Sequence, residues 1–490
     1  MTTLLPFQAQ ELESHWRKTA WGYNWDPGTG KTLAALENAR RLEADGSIGG
    51  LLVVAPNGVH RAWSGDEIPK HLPPELLERT VIHTWLTSRA GTSGHELAAQ
   101  RLTAHRGFGI LLISYDGLMT EQGAKVARRF LEGRPCLLVV DESHMVKAPD
   151  AKRTKRVLAM CRYAPYRRIL TATLAADKPF DVYSQIKILD EGAWRSVGCD
   201  SAAAFRAQFG SWEQRWSAGA GRFYPQLLAY RNLDVMRDVV SRWCSRVRKD
   251  QVLSELPPKV YSRRYFELTS EQRRAYRELR EEAMTLLSGG ELVTAPLVVT
   301  RLLRMQQVTS GYLPTDDGLD GVMMPLGKSN PRVRCLMELA EGLTHQAIVW
   351  AKFTQDLDLI LAALREVGLS AVRYDGRCDE EACAEAIEHF RSGRAQFFVS
   401  NPAKGGTGLT LNEAKTMIFY NTGYKLSQRI QAEDRAHRIG QDCRLSVVDI
   451  VAMLSPEIPT LDLSILEALS RKRELAAQVQ GDEAREWLGL

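Results

Sequence analysis

The chain alternates short, continuous apolar runs with stretches whose apolar residues recur every three or four positions. In its first part the runs are 51–55, 110–114, 137–140 and 168–171, and the stretches 32–44, 95–105 and 122–131 between them have helical spacing. A continuous apolar run suits a strand buried on both faces. Such strands alternating with helices predict a parallel sheet covered on both sides. The rhythm returns late in the chain, where 347–351, 371–374, 396–400, 416–420 and 446–451 read as strands. Phe353, Leu357, Ile360, Leu361 and Leu364 share one face of an intervening helix.

From about 186 to 325 the rhythm breaks. This stretch is rich in Arg, Trp and Tyr, turns helical over 271–287, and is punctuated by Pro257-Pro258, Gly289-Gly290 and Asp316-Asp317-Gly318. After the second α/β region, 461–479 reads as one more helix, apolar at Leu461, Leu463, Ile465, Leu466 and Leu469 and charged at Arg471-Lys472-Arg473. The expected fold class is α/β, with two parallel-sheet lobes, a mostly helical insertion and a C-terminal helix. The expected boundaries are 1–185 for lobe one, 186–325 for the insertion and link, 326–455 for lobe two and 456–490 for a helical brace.

Composition changes this picture little. At 490 residues the chain is long enough for two or three domains, and 44% hydrophobic with 25% charged residues is ordinary for a globular protein. No apolar run reaches membrane-spanning length, and Met1-Thr2-Thr3-Leu4-Leu5-Pro6 lacks the basic and apolar regions of a signal peptide. A cytoplasmic or nucleoid-associated protein without membrane attachment is expected. The eight cysteines show no two-residue spacing, so reduced thiols are expected rather than a zinc site. A net charge of +5 permits nucleic-acid binding without demanding it. The basic residues cluster, however. Lys152, Arg153, Lys155, Arg156, Arg162, Arg167 and Arg168 follow one another with no intervening acid, a candidate phosphate-contacting run.

Two motifs carry chemistry. Gly28-Thr29-Gly30-Lys31-Thr32 stands directly before a helix, where backbone N–H groups and the helix N-terminus favour phosphate. Lys31 would reach the β/γ-phosphates of ATP and the Thr32 hydroxyl would ligate magnesium. Trp25 occupies the position where the usual pattern has a small residue. The run 137–140 ends in Asp141-Glu142-Ser143-His144, and two adjacent carboxylates past a buried strand are costly without a cation. Asp141 would hold magnesium, and Glu142 would orient and deprotonate an attacking water.

A third cluster comprises Gln431, Arg435, His437, Arg438, Gly440 and Gln441. If 428–438 is helical, Gln431, Arg435 and Arg438 share a face. Spacing alone leaves two readings open: arginine fingers for a phosphate site, or an exposed helix salt-bridged through Glu433 and Asp434.

The block from Gln431 to Gln441 resembles the last motif of Swi/Snf-type DNA translocases in helicase superfamily two, and the Asp-Glu-Ser-His box and Gly405-Gly406-Thr407-Gly408-Leu409-Thr410-Leu411 fit the same family. Leu5-Pro6-Phe7-Gln8 is similar to its adenine-recognition motif. The segments 113–118 and Tyr374-Asp375-Gly376 are similar to its two DNA-tracking motifs, and 256–259 with 268–272 to the link after its first protrusion. The resemblance spans nearly the whole chain, in the expected order, and within the family it is nearest to the compact annealing-helicase branch.

It implies two RecA-like lobes. ATP would be held by Gln8, Gly28, Thr29, Gly30, Lys31, Thr32, Gly408 and Gln431, with Arg435 and Arg438 as fingers and Glu142, Asp141 and Lys31 in catalysis. Coupling would pass through His144, Thr171 and Thr173. DNA would meet Tyr115, Asp116, Lys152, Arg153, Lys404, Gly405, Gly406 and Tyr424. Departures are Thr171-Ala172-Thr173-Leu174, where the family has Thr-Gly-Thr-Pro, and Tyr424 in place of a tryptophan. The implied activity is an ATP-driven motor tracking duplex or branched DNA as a monomer, with a protein partner possible for targeting. The alternatives are a strand-separating DNA or RNA helicase, or an ATP-driven remodeller of a complex such as RNA polymerase.

Overall fold

The computed structural model describes residues 3–217, 221–253, 255–288, 295–315, 322–405 and 409–480. The turns predicted at Gly289-Gly290 and Asp316-Asp317-Gly318, and the candidate residues Gly406, Thr407 and Gly408, lie outside the described residues. The chain divides into two compact units. One comprises Met1–Ser211, Ala229–Ser254 and Lys472–Leu490, the other Trp212–Leu228 and Glu255–Arg471.

In the first unit the strands are β1 (Ala20–Trp25), β2 (Gly50–Ala55), β3 (Val81–Trp85), β4 (Gly109–Ser114), β5 (Cys136–Asp141) and β6 (Tyr166–Thr171). Next in the chain comes a two-stranded ribbon, β7 (Gly210–Ser217) and β8 (Arg222–Tyr230), of which Trp212–Leu228 belongs to the second unit, and then β9 (Cys244–Val247), back in the first. The sheet runs β3-β4-β2-β5-β6-β1-β9 with every pair parallel. Strands β2, β4 and β5 are buried along their whole length, because helices cover both faces and leave no polar side for alternation to show. Strand β1 is equally buried but interrupts its apolar residues with Gly22 and Asn24, so its pattern is not that of a strand. Gly22 is required there: a Cβ would stand 2.4 Å from the sulfur of Cys244 on the adjoining β9.

The second unit holds β10 (Lys259–Glu267), the pair β11 (Tyr312–Pro314) and β12 (Met323–Pro325), β13 (Ala347–Trp350), β14 (Ala371–Tyr374), β15 (Phe397–Ser400), β16 (Thr416–Phe419), β17 (Leu445–Ser455) and β18 (Ile458–Pro459). Its parallel sheet runs β10-β17-β16-β13-β15-β14, with β18 antiparallel to β17. The α/β architecture of two parallel-sheet lobes is therefore present. Besides its helices, the stretch 186–325 supplies one strand to each sheet, β9 and β10. Strand β10 escapes the sequence pattern because seven of its nine residues are exposed, an edge strand without alternation.

Two buried cations tie long-range backbone together. Arg168, at 0% exposure, donates to Asn38 Oδ1 at 2.7 Å and to the carbonyls of Arg167, His15, Trp16 and Lys18. It therefore leaves the basic run proposed for phosphate, because its charge is spent on the carbonyls at and just beyond the end of the helix Pro6–His15, inside the fold. In the second unit Arg332, also at 0%, donates to the carbonyls of Thr309 and Tyr420 and pairs with Asp462. All eight cysteines are free thiols, and only Cys378 and Cys443 escape full burial. No helix among the described residues is long and apolar enough to cross a membrane.

Parallel strands align their carboxyl ends on one edge of each sheet. In the first unit Thr171 of β6 is in register with Asn24 of β1, and Leu170 with Asp141 of β5. The loop after β1 and the carboxylates after β5 therefore flank Thr171, about 10 Å apart across one intervening strand. That edge is where open parallel sheets place ligands.

Candidate functional site

The loop after β1 is shaped by its own hydrogen bonds. Gly28 and Gly30 have positive φ of 80° and 81°, conformations a side chain resists, and Gly30 caps the helix Lys31–Ala44. Thr29 is fully buried. Its hydroxyl donates to the Asp26 carbonyl at 2.7 Å, and its own carbonyl accepts from Gln8 Nε2 at 2.8 Å. Lys31 Nζ donates to the carbonyls of Trp25 and Asp26 at 2.8 and 3.1 Å, which keeps the ammonium over the loop. Gln8, Gly28, Thr29, Gly30 and Lys31 are thus gathered in one place, with Gln8 packed so tightly that a Cβ on Gly30 would stand 2.3 Å from its Nε2.

Trp25 does not disturb this loop. It is the last residue of β1, fully buried, packed against Phe7 and Tyr23, and its indole N–H donates to Ser245 Oγ at 2.9 Å. The turn proper begins at Asp26, which sequence reading passed over. Arg246 of β9 pairs with one Asp26 oxygen at 2.7 Å, and the Lys249 N–H donates to the other at 2.9 Å. Burial opposes ionisation of Asp26, but Arg246 and that N–H outweigh it and hold the carboxyl below its ordinary range.

At the end of β5 Asp141 is buried and Glu142 adopts left-handed backbone, φ 50° and ψ 51°, uncommon for a residue with a side chain. The turn is held from three sides. Tyr115 OH donates to the Asp141 carbonyl at 2.7 Å, Trp63 Nε1 donates to Asp141 Oδ2 at 3.0 Å, and Asp141 Oδ1 accepts from the Glu142 N–H at 2.9 Å. The Glu142 carboxylate lies 3.2 Å from His144 Nδ1. Burial first, and then the neighbouring Glu142 carboxylate, push the Asp141 carboxyl up to about 7, with the Trp63 N–H and Lys31 acting against them. Trp63 was invisible to motif reading. It opens a π-helical turn, Trp63–Glu67, inside an otherwise α-helical segment, a distortion that re-aims side chains.

A hydrogen-bond chain links this turn to the segment after β6. Ser143 Oγ donates to Gln185 Oε1 at 2.8 Å, and Gln185 Nε2 donates to the Leu174 carbonyl at 2.7 Å. Thr171 Oγ1 in turn accepts from the Thr173 N–H at 3.2 Å. Leu174 is fully buried, so an apolar side chain fills the core where the related motif has proline. Gln185, fully buried and far along the chain, is a second residue that motif reading missed.

Of the candidates for nucleic-acid contact in this unit, Tyr115 is buried against the Asp141–Glu142 turn and Asp116 is exposed. Arg153 pairs with Asp116 at 3.1 Å and lies 5.5 Å from the Tyr115 ring, while Lys152 is exposed at the start of the helix Lys152–Cys161.

In the second unit the helix Leu426–Glu433 ends before Arg435, so Gln431, Arg435 and Arg438 do not share a helix face as the spacing suggested. Asp434 caps the helix, and turns follow. The two arginines converge through their partners instead. Arg435 Nη1 donates to the Leu409 carbonyl at 2.9 Å, and Arg438 Nη1 to Thr410 Oγ1 at 3.0 Å. Each also donates Nε to the carbonyl four residues before it. Glu433 is turned to other partners. Exposed at only 1%, it accepts from Arg429, Lys259 and Tyr261, each at 2.7 Å, so the exposed salt-bridged helix is not what forms here. Gln441 donates to the carbonyls of Asn412, Ala414 and Ala436 and holds the same loop from behind.

Lys404 precedes Gly405 after β15. Its ammonium faces the carbonyls of Asp375 and Cys378, at 2.7 and 3.1 Å, and lies 5.2 Å from the Tyr374 ring. Tyr424 follows β16 with 37% of its surface exposed.

Among the described residues no group of three or more His, Cys, Asp or Glu gathers as a self-contained metal site. The donors at the β1–β5 edge are hard oxygens, the Asp141 carboxylate and the Thr32 hydroxyl. They suit magnesium that completes its shell with phosphate and water.

An SNF2-related domain model matches residues 25–310, and a helicase conserved C-terminal domain model matches 331–440. Among curated proteins, the DNA annealing helicase and endonuclease ZRANB3 of Mus musculus is 25% identical, over 98% of this chain and 40% of that protein. The Homo sapiens protein of that name is 25% identical over 93% of this chain and 38% of its own length. The transcription regulatory protein SNF2 of Saccharomyces cerevisiae is 24% identical over 88% of this chain and 25% of its own length. The chain thus spans less than half the length of these relatives. A Sulfolobus solfataricus SWI2/SNF2 ATPase core in complex with dsDNA aligns over 100% of this chain and 95% of its own, at 19% identity and a TM-score of 0.41.

Proposed function

This chain belongs to the SNF2-related family and is a helicase-like ATP hydrolase of superfamily two, and from that premise we propose that it is a DNA-stimulated motor tracking duplex or branched DNA. The observation that carries the reading is the Trp63–Asp141 pair at the end of β5, one strand away from the Gly28–Thr32 loop. A buried carboxylate held beside a phosphate loop suits a cation–phosphate site better than any structural need.

In this reading Gln8 meets the adenine, and Lys31 with the loop N–H groups neutralises the β/γ-phosphate oxygens. Thr32 and Asp141 would hold magnesium, which when bound offsets phosphate charge. Glu142 takes the proton of the attacking water, with His144 orienting its carboxylate. Arg435 and Arg438 stabilise charge on the transferred phosphoryl, and Gln431 and Gly408 contribute to nucleotide binding. DNA phosphates meet Lys152, Arg153, Asp116, Gly405 and Gly406, and Tyr424 supplies an aromatic edge. Tyr115 and Lys404 act from behind these surfaces, and Thr171 and Thr173 transmit the stroke. Such a grip gives weak sequence preference and strong salt dependence. The relatives named as DNA annealing helicases support DNA as the substrate. The proposed motor works on duplex or branched DNA as a monomer, in the cytoplasm or on the nucleoid, with a protein partner for targeting.

The test compares ATP turnover with no nucleic acid, single-stranded, duplex and forked DNA, and RNA. Duplex and forked DNA should raise turnover most. A rate indifferent to every one of them rejects the motor.

A further inference from the structure

The described tryptophans are all buried or half-buried except two, and both lie on β7: Trp212, 36% exposed, and Trp216, 56% exposed. Across the ribbon Phe223 is 62% exposed, and its ring meets that of Trp216 edge-on at 5.0 Å. Side chains alternate along a strand, so Trp212 and Trp216 share one face with Phe223, while Glu213 and Arg215 take the other. Glu213 is neutralised by Arg215 at 3.0 Å, whereas Arg222, next to Phe223, makes no hydrogen bond or ion pair among the described residues. The Trp216 and Phe223 rings stand in water beside the Arg222 guanidinium, on a strand where every residue from Trp212 to Trp216 is exposed.

The chemistry of the ribbon selects among occupants. A peptide adding as a further strand needs backbone donors along the edge, and Pro225 in β8 removes one. Flat ring faces with a neighbouring guanidinium suit unpaired bases and the phosphate that joins them.

We propose that the β7–β8 ribbon is a single-strand platform, on which Trp216 and Phe223 stack against unpaired bases while Arg222 meets the adjacent phosphate. The proposal rests on the reading of the chain as a DNA motor. It adds the element by which a branch, rather than an intact duplex, is sensed.

The experiment uses the full chain with two paired substitutions, Trp216→Leu with Phe223→Leu, which keeps apolar bulk, and Trp216→Tyr with Phe223→Tyr, which keeps stacking. Fluorescence anisotropy measures affinity for a labelled oligothymidylate and for a blunt duplex, and ATP turnover with the blunt duplex is followed in parallel. The leucine pair should lose roughly 10- to 100-fold in single-strand affinity and the tyrosine pair less than about threefold, with blunt-duplex binding and turnover unchanged in both. Single-strand affinity unchanged in the leucine pair overturns the proposal. So does an equal loss in both pairs, or a loss of self-association in sedimentation with single-strand affinity intact, which marks a protein interface instead. If wild-type turnover ignores all DNA yet the leucine pair still loses single-strand binding, the motor reading fails and the platform stands.

Discussion

The indole N–H of Trp63 donates to Oδ2 of Asp141 across 3.0 Å, so the carboxylate at the end of β5 is oriented by a residue 78 positions earlier in the chain. This pair gives the site a defined response to pH. The Asp141 carboxyl, ordinarily near 3.8, sits at about 7. A value raised on folding favours the nucleotide-free fold at acid pH, and that contribution is lost as pH rises through about 7. Magnesium takes the ionised form, so its thermal stabilisation of the chain should grow between about pH 6 and about pH 8. Asp141→Asn should abolish that growth. Trp63→Phe, which removes a donor to the carboxylate, should move it to higher pH. Scanning fluorimetry across this range reads both; a magnesium response flat with pH rejects the assignment.

Glu142→Gln should stop turnover while leaving ATP affinity within a few-fold, since the amide keeps the shape but cannot accept the water proton. Arg438→Ala should lower turnover by roughly 10³-fold, the lower end for a finger arginine. Single-turnover hydrolysis with fluorescent-nucleotide binding separates the two effects, and an Arg438→Ala rate within a few-fold of wild type removes that residue from catalysis.

Gly30→Ala tests the phosphate loop. Its φ of 81° costs an alanine about 1–2 kcal/mol, and the new Cβ, 2.3 Å from Gln8 Nε2, displaces that side chain from the Thr29 carbonyl. Nucleotide affinity should fall with a modest loss in urea midpoint. Undiminished affinity would show that the loop does not cradle phosphate.

Gln185→Leu cuts the link between Ser143 and the Leu174 carbonyl. Gln185 makes both hydrogen bonds of that link and a third to the Asp181 carbonyl, and the loss of even one at about 1.4 kcal/mol corresponds to about tenfold. Basal turnover should hold while stimulation by duplex DNA drops by about that factor. Equal stimulation in the variant and the wild type excludes Gln185 from coupling.

The sequence by itself determined the two α/β lobes, because continuous apolar runs between helical stretches leave a parallel sheet as the way to bury both faces. It also pointed to the chemistry proposed at Gly28–Thr32 and Asp141–Glu142, because that signal lies in adjacent residues. Three things waited for the tertiary structure. Strand β10 was hidden because an exposed edge carries no alternation. The end of the helix at Glu433 was hidden because Arg429 and Lys259 draw that carboxylate inward, leaving Arg435 and Arg438 in turns around Leu409 and Thr410.

The positioning residues were hidden because their partners are remote. Trp63 reaches Asp141, Gln185 reaches Ser143 and Arg246 reaches Asp26 across 78, 42 and 220 positions. Local patterning records periodicity and neighbouring chemistry. A hydrogen bond between distant residues leaves no periodic trace, and only folding, which aligns the strand ends on one edge, brings its donor and acceptor within 3 Å of each other.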